Sequence, residues 1–427
     1  MSHTADMMTT LQQQSFRYFM QEADTTTGLV RDSTARDAPA SIAATGMGLS
    51  VYPVGAERGW ITRATACART LATLRFFAGS AQGPQADATG YRGFYYHFLD
   101  PAGGRRAWRS ELSSIDTALL LAGILTTALY FDRDDADERA VRELAAALYA
   151  RVDWRWMLNG GALLSHGWDP DTGFLRSRWA GYDEAQLLYL LALGAPGLGI
   201  GADSYAAWAA GGQWQSHYGI DYLYAGPLFI HQLPQLWLDL RGLRDARMGA
   251  RGSDYFENSR RATLAQQCYA IDNPLQWEGY GAHCWGITAC AGPGEVTRVI
   301  DGRRRRFHGY LARGAPGGPD DGTLAPWAAA ASLPFAPELV HATVAQFQRL
   351  ELKSSSPAYG FRASFCAGYR DAQGRHGWIS PHHYGLNLGP TVLMIANHYH
   401  DFPWRLWRAS PWLQRTLRHA GFRGGWL

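Results

Sequence analysis

The sequence predicts an all-α fold in one large domain, and three observations support this prediction. Apolar residues recur at the three- and four-residue spacing of amphipathic helices, whereas the strict alternation typical of strands is scarce. No Pro- or Ser-rich linker and no change of composition divides the 427 residues. Hydrophobic residues make up 47% of the chain and charged residues 18%, which is enough to fill a single large core.

Helical spacing of apolar residues continues along most of the chain. It predicts helices over residues 9–21, 40–52, 61–77, 115–131, 136–150, 183–193, 229–240, 254–270, 325–333, 336–351 and 390–400. The segments 158–181 and 272–322 are rich in Gly, Pro and Trp, and they are predicted as loops.

Two of these helix starts carry clear signals. Ser113 and Ser114 precede the apolar run that begins at Ile115, and serine is a preferred N-cap residue. Asp183 and Glu184 open the run LLYLLAL, where the helix dipole favours negative charge. This assignment places Glu184 in the first helical turn, where the dipole lowers the pKa of a carboxyl unless burial opposes it.

Charge and motif content exclude several classes of protein. The net charge is +3, which gives no basic field for nucleic acid. The one basic run, Arg303 to Arg306, is flanked by glycines and is predicted as a solvated loop. No apolar run reaches the roughly 20 residues that span a bilayer. No GxGxxG, Walker or GxSxG motif indicates a nucleotide site or a serine hydrolase.

The five cysteines predict neither a metal site nor a disulfide framework. They show no CxxC pair and no zinc spacing with histidine, and their number is odd. Reduced thiols and the lack of a signal-like N-terminal segment lead us to expect a cytoplasmic protein. A true start codon upstream would instead allow export to the periplasm.

Three carboxylates near predicted helix starts are candidates for catalysis. Glu111 and Asp116 flank the helix start at Ser113, and Glu184 lies at the start of another helix. Glycosidic cleavage generally needs two carboxyl groups, one that donates a proton and one that activates water or attacks directly. All three could equally serve only as helix-terminal acids.

Aromatic, amide and histidine side chains cluster in the stretch Asp254 to Ala289 and in loops at 95–100, 166–174 and 229–232. The chain has 17 Trp and 21 Tyr, more rings than a core requires, and spare ring faces can stack on sugars. Together with the carboxylates, they predict a carbohydrate-active cleft. Core packing of the rings, and an internal ion pair of Glu257 with the arginines that follow it, are the alternatives.

A series of motifs runs in order along nearly the whole chain: LQQQSFRYF, ASIAATGMGLSVYPVGAERGW, YRGFYYHFLD, ELSSIDTALL, VDWRWM, GYDEA, DYFENSRRATLAQ, GYGAHCWGITA, DDGTLAPWAAAASLPFAP and AGFRGGWL. Through these motifs the chain resembles the glycoamylase-like family. That family is related to the endo-β-1,2-glucanases of glycoside hydrolase family 144 and to the transglycosylating domain of cyclic β-1,2-glucan synthases.

The resemblance implies a single (α/α)6 barrel with long loops at the active-site end, and neither metal nor organic cofactor. It implies that Glu184 is the general acid and that Asp116 and Glu111 line the same cleft. The function expected is hydrolysis of β-1,2-glucan or a related oligosaccharide. Residues expected to contact substrate are Tyr182, Trp179, Trp285, His231, His97, Tyr280 and Trp168.

The chain also departs from the family pattern at usually acidic positions, which carry Ala291, Ala363, Asn387 and Ala396. The resemblance places the base of the glucanase branch at Ala363. Three outcomes follow: another carboxylate such as Asp116, Glu111 or Asp371 replaces the base, the reaction is a transglycosylation or a different glycoside cleavage, or the protein binds glycan without turnover. Linkage, chain length, stereochemistry and oligomeric state stay open.

Overall fold

The structure is a computed structural model that describes residues 3–352 and 359–427. Within these residues the chain forms sixteen α-helices and one 3-10 helix at Leu233–Leu236. The α-helices are α1 (His3–Gln21), α2 (Ile42–Glu57), α3 (Arg63–Gly79), α4 (Ser114–Tyr130), α5 (Ala136–Ala150), α6 (Trp154–Met157), α7 (Gln186–Gly194), α8 (Ala202–Ala210), α9 (Leu228–Gln232), α10 (Ala246–Gly249), α11 (Tyr255–Asp272), α12 (Pro326–Ala331), α13 (Pro337–Arg349), α14 (Gly385–His400), α15 (Trp404–Arg408) and α16 (Pro411–His419).

Every predicted helical segment contains a helix, but one prediction was too long. Instead of one helix over 229–240, α9 ends at Gln232 and a 3-10 turn follows. Pro234 lies in that turn, and its missing N–H interrupts a regular α-helix. The sequence missed α6, α8, α10, α15 and α16, of which α6, α10 and α15 are too short to show a helical period.

The most buried helices pack side by side at the centre. Residues 42–55 of α2 are all buried, and α2 packs against α4 and α14. α2 and α4 approach closely at Gly46 and Gly123, because a Cβ on Gly123 would lie 2.1 Å from the Gly46 carbonyl oxygen. α4 also packs on α7, and α14 packs on α12. A second set of helices covers this centre, with α1 on α14, α3 on α2, α5 on α4 and α13 on α12.

Short strands connect the helices. The described residues contain seventeen of them: β1 (Ala40–Ser41), β2 (Gly90–Tyr91), β3 (Phe94–Tyr96), β4 (Phe98–Leu99), β5 (Leu112–Ser113), β6 (Gly167–Asp169), β7 (Gly173–Phe174), β8 (Trp214–His217), β9 (Ile220–Leu223), β10 (Leu243–Arg244), β11 (Ala289–Ala291), β12 (Val296–Ile300), β13 (Arg303–Phe307), β14 (Tyr310–Ala312), β15 (Phe365–Arg370), β16 (His376–Ile379) and β17 (Arg423–Gly424).

These strands correct two predictions from the sequence. The segments predicted as loops contain β6, β7 and β11 to β14, and the basic run at 303–306 forms β13 rather than a loop. β13 pairs with β12 in an antiparallel hairpin, so its arginines alternate between the two faces. The largest sheet has the order β2-β3-β5-β6-β7, and the other six are two-stranded. Such short strands give too few alternations for detection in sequence.

Two strands lead directly into the central helices. β1 ends at Ser41, the N-cap of α2, and β5 ends at Ser113, the N-cap of α4. The Ile42 N–H donates to the His97 carbonyl oxygen at 3.3 Å, and the His97 N–H donates to the Glu111 carbonyl oxygen at 3.0 Å. These bonds hold the starts of α2 and α4 beside His97 and Glu111.

No helix among the described residues is both long and apolar enough to cross a membrane. All five cysteines lie in the described part of the chain, and none forms a disulfide.

Candidate active site

Two carboxylates and a histidine meet where α4 begins. His97 Nδ1 lies 3.0 Å from Glu111 Oε1 and 3.6 Å from Asp116 Oδ2. Asp116 lies in the first turn of α4, and its Oδ2 accepts a hydrogen bond from the Ser113 hydroxyl. The predicted proximity of Glu111 and Asp116 follows from the N-cap at Ser113.

The charges in this cluster are strongly coupled. Burial lowers the pKa of His97. The negative charges of Asp116, Glu111 and Asp32 outweigh this effect and raise the pKa of His97 to about 9. Burial raises the pKa of Glu111, but its hydrogen bond and ion pair with His97 bring this pKa below the ordinary value. At neutral pH the cluster therefore contains an imidazolium and an ionised Glu111.

His97, Glu111 and Asp116 also have the spacing of a cation site, because one ligand atom from each lies within 4.8 Å of the others. A metal needs the neutral imidazole as its ligand. Because the carboxylates keep His97 protonated at neutral pH, the imidazolium already supplies the positive charge at this position.

Glu184 lies just before α7 rather than in its first turn, which corrects the sequence prediction. The helix begins at Gln186, and Ala185 is its N-cap. Glu184 is partly exposed. Burial, followed by the charges of Asp183 and Asp116, raises the pKa of Glu184 to about 8. Its carboxyl is therefore protonated at neutral pH and can donate that proton.

The turn that carries Glu184 is fixed by its neighbour Asp183. Asp183 Oδ1 accepts hydrogen bonds from Trp208 Nε1 at 2.8 Å and from the Ala185 N–H at 3.0 Å. Burial raises the pKa of Asp183 to about 6, although these hydrogen bonds oppose the shift. Asp183 is therefore mostly ionised at neutral pH, and its charge favours the protonated form of Glu184.

Trp179 connects the Glu184 segment with the start of α4. Its Nε1 donates to Ser114 Oγ at 2.9 Å, and its ring stacks on His166 with the centroids 3.8 Å apart. The Trp179 side chain is buried. Trp179 thus ties the segment before Glu184 to the first residue of α4.

Tyr182 and His231 form a second pair beside Glu184. His231 Nε2 donates to the Ala225 carbonyl oxygen, so its Nδ1 is left to accept from the Tyr182 hydroxyl at 3.0 Å. His231 is 1% exposed, and burial lowers its pKa to about 4. Neutral His231 therefore orients Tyr182 and exposes almost no surface to a ligand.

The other aromatic residues predicted from sequence have different positions. Trp285 is completely buried, so its ring has no face for a sugar and the prediction for this residue is wrong. Tyr280 donates to Asp320 Oδ1 at 2.6 Å. Trp168 is partly exposed in β6, where it pairs with Leu112 next to the α4 start.

Polar residues of α11 build the core rather than the cleft. Asn258 exchanges hydrogen bonds with the backbone of Leu223, and Gln266 does so with Ile287. Glu257 forms the predicted ion pair with Arg261 at 2.9 Å. The polar side chains of α11, which the sequence predicts to line a carbohydrate site, thus mainly anchor neighbouring loops.

Sequence reasoning missed Asp32, Tyr310 and Tyr384. Burial, with the charge of Asp116, raises the pKa of Asp32 to about 6, and the His97 charge opposes this shift. Desolvation by the surrounding protein, together with negative charges that include Glu184, Asp116 and Asp32, raises the pKa of Tyr310 to about 12. The Asp32 charge also raises the pKa of Tyr384. The only sequence signal was a polar segment after the buried Leu29 and Val30.

The four positions at which the family pattern is acidic lie in different surroundings. Ala291 and Asn387 are partly exposed, whereas Ala363 is 2% and Ala396 1% exposed. Ala396 lies about three turns after the start of α14, about 16 Å along the helix axis from Gly385. Asp371, a candidate replacement base, pairs with Arg375 in the β15–β16 turn.

A family model named Glycoamylase, with the description "Putative glucoamylase", matches residues 176–411. The match includes Glu184 and covers more than half of the chain. A curated relative is the exo β-1,2-glucooligosaccharide sophorohydrolase (non-reducing end) of Parabacteroides distasonis, 26% identical over 442 residues. The alignment covers 96% of this chain and 57% of the relative, so the chain spans little more than half the length of that protein.

Solved structures show the same fold. The β-1,2-glucanase of Parabacteroides distasonis aligns with a TM-score of 0.85 and 25% identity, over 99% of this chain and 60% of that one. The endo-β-1,2-glucanase of Chitinophaga pinensis, solved with sophorotriose and glucose, aligns with a TM-score of 0.86 and 23% identity over the full length of both chains.

Proposed function

The chain belongs to the glycoamylase family, and on that premise we propose that it is a glycoside hydrolase that cleaves β-1,2-glucan or a related β-glucan oligosaccharide. The observation that carries the proposal is the protonated Glu184 in a cleft that also contains Asp116. Glycosidic cleavage requires a carboxyl that can donate a proton together with a second carboxyl group. The names of the relatives, a sophorohydrolase and β-1,2-glucanases, support the choice of linkage.

In the proposed reaction, Glu184 donates its proton to the glycosidic oxygen as the C1–O bond breaks. A carboxylate on the other side of the sugar orients water and accepts its proton, and Asp116 and Glu111 are the candidates from sequence. Asp183 keeps Glu184 protonated through its negative charge. These steps need only the side chains of the protein, with no organic cofactor.

We assign the substrate contacts to side chains that keep some exposure. His97, Tyr182, Trp168 and Tyr280 are each partly exposed, and their rings and polar atoms suit sugar faces and hydroxyls. Trp179 and His231 are buried and would position these groups rather than touch the sugar. Trp285 is left out of the proposed site.

The architecture that fits this function is a single-domain (α/α)6 barrel. The central helices α2, α4, α7, α12 and α14, with α9, would form the inner ring, and α9 packs on α12. The packing of α1, α3, α5, α8, α11 and α13 on the central helices supports an outer ring of six. The cleft would lie at the N-terminal ends of the inner helices, where Asp116 and Glu184 occur.

Ala363 favours a second candidate function. The resemblance places the base of the glucanase branch at this position, and a methyl group accepts no proton. A protein without a base could transfer the sugar to another glycan or bind glycan without turnover. Retained glycan binding without any change of the glycan would favour the last function.

The test is incubation of the protein with linear and cyclic β-1,2-glucans and with β-1,3-, β-1,4- and β-1,6-glucans, followed by chromatography of the products. Shorter products from a β-1,2-linked glucan alone would support the proposal. Rearranged products of equal or greater length would indicate transglycosylation. Binding in calorimetry without any new product would indicate a glycan-binding protein.

A further inference from the structure

Glu111 and Asp116 each have one carboxylate oxygen engaged by a neighbouring donor. Glu111 Oε1 is paired with His97 at 3.0 Å. Asp116 Oδ2 accepts from the Ser113 hydroxyl and also faces His97 at 3.6 Å. A carboxylate that must bind water and then take up its proton is best suited when neither of its oxygens has such a donor.

Asp32 meets this requirement. Within residues 3–352 and 359–427, no donor hydrogen-bonds its carboxylate and no cation lies within ion-pair distance, although the charges of His97 and Asp116 reach it. The side chain is partly exposed. Unlike Glu111 and Asp116, Asp32 therefore has both carboxylate oxygens available to a water molecule.

The backbone around Asp32 is held on both sides. The Asp32 N–H donates to the Pro39 carbonyl oxygen at 2.8 Å, and its carbonyl oxygen accepts from the Gly385 N–H at 3.0 Å. The first bond ties Asp32 to the residue before β1, and the second ties it to the first residue of α14. Asp32 thus has a fixed position between two central helix starts.

Tyr310 is within reach of the charges of both Asp32 and Glu184. The phenol lies in β14, and the charges of Glu184, Asp116 and Asp32 all act on it. Its side chain is 73% exposed, so it does not fill the space between the carboxyls.

We infer that Asp32 is the general base that activates water in this chain. This inference rests on the proposed function. A water held by Asp32 attacks C1 of the sugar, its proton passes to the Asp32 carboxylate, and the C1–O bond breaks as Glu184 protonates the leaving oxygen. Water is consumed, and no oxidant or cofactor is involved. Attack from the side opposite the leaving group gives a product with inverted configuration at C1.

His97 has a defined part in this arrangement. Its imidazolium is held by Glu111 and Asp116 and acts on Asp32 through its charge. That charge limits the rise in the pKa of Asp32 caused by burial, so the carboxyl stays mostly ionised at neutral pH. His97, Glu111 and Asp116 are thus positioning residues for the base.

The test compares Asp32→Asn and Glu184→Gln on two substrates, β-1,2-glucan and a nitrophenyl β-sophoroside. Nitrophenolate leaves without a proton, so the aryl glycoside should restore the turnover of Glu184→Gln but not that of Asp32→Asn. We expect Asp32→Asn to lose at least about 100-fold in kcat on both substrates. In the variant Asp32→Ala, added azide should restore cleavage and form an α-glycosyl azide.

Asp37→Asn is the matched control, because Asp37 is an exposed carboxylate in the same segment. Its turnover should equal that of the wild type. Wild-type turnover in Asp32→Asn, or retention of configuration in the first product, would overturn the assignment and leave the hydrolase proposal standing. If the wild type cleaves neither substrate, both proposals are overturned.

Discussion

His97 Nδ1 lies 3.0 Å from Glu111 Oε1, and this ion pair organises the charges at the start of α4. The imidazolium places a positive charge among acidic side chains, where it stabilises their ionised forms. Glu184, by contrast, has Asp183 and Asp116 as its charged neighbours and keeps its proton. Glu184 can therefore donate a proton, whereas Glu111 is ionised at neutral pH.

Replacement of Glu184 by Gln should reduce kcat on β-1,2-glucan by about 100-fold or more, because the amide cannot protonate the leaving oxygen. Binding should remain close to that of the wild type, since the two side chains have similar shape. Reducing-end release and calorimetry would measure the two effects. Glu143→Gln, at an exposed position of α5, is the control. Full activity of Glu184→Gln would remove Glu184 from the mechanism.

The pH dependence of kcat/KM should be bell-shaped, with limbs near pH 6 and pH 8. Below about pH 6 Asp32 takes up a proton and can no longer accept one from water. Above about pH 8 Glu184 loses the proton that it must donate.

Replacement of Asp183 by Asn should move the alkaline limb to lower pH, because it removes a negative charge that raises the pKa of Glu184. Asp203→Asn, an exposed position of α8, should leave this limb in place. Initial rates at low substrate concentration across pH 4–10 would show both limbs. An unchanged alkaline limb in Asp183→Asn would contradict the assignment to Glu184.

His97 should make the stability of the protein depend on pH. Its folded-state pKa of about 9 lies above the ordinary value of 6.5. Its contribution is therefore complete below pH 6.5 and is lost as the pH rises through about 9. For a partly exposed group, we expect a loss on the order of 1–2 kcal/mol.

Urea unfolding at pH 6, 7.5 and 9 would measure this loss, and His97→Gln should show less of it. His419→Gln, near the end of α16, is the control. An equal decrease in stability for His97→Gln and the wild type would show that other groups cause it. Glu184 should also make the protein less stable as the pH rises, since its raised pKa favours the neutral form in the folded protein.

The buried ion pair of Arg313 and Asp321 should contribute strongly to the stability of the protein. Two guanidinium nitrogens lie 2.6 and 2.7 Å from the two Asp321 oxygens, and both side chains are at most 3% exposed. Arg313→Met leaves Asp321 buried without its partner and should cost about 3–5 kcal/mol. Arg415→Met, on the exposed face of α16, should stay within about 0.5 kcal/mol. Urea unfolding at pH 7 would measure both, and equal stability would contradict the expected cost.

Local patterns predicted part of the site correctly. The serines before Ile115 identified the start of α4, and this start carries Asp116 in its first turn. Capping depends on residues within one helical turn, so it can be inferred from neighbouring letters. The same reasoning places Glu184 in the first turn of its helix, whereas α7 begins two residues later, because the Asp183 side chain holds the preceding turn.

Asp32 had no comparable local signal. Its partners are Pro39, Gly385 and the distant charges of His97 and Asp116, and only the folded chain brings these groups together. Trp285 and the amides of α11 show the opposite case. Their residue types predict a sugar site, but these side chains are buried and pack in the core.

The sequence by itself determined the long helices, their buried faces and the acidic positions near helix starts, because these depend on residue spacing within a few turns. Tertiary structure decided which carboxyl keeps its proton and which one can hold water. These properties depend on desolvation and on charges from separate segments, and no local pattern of residues encodes them.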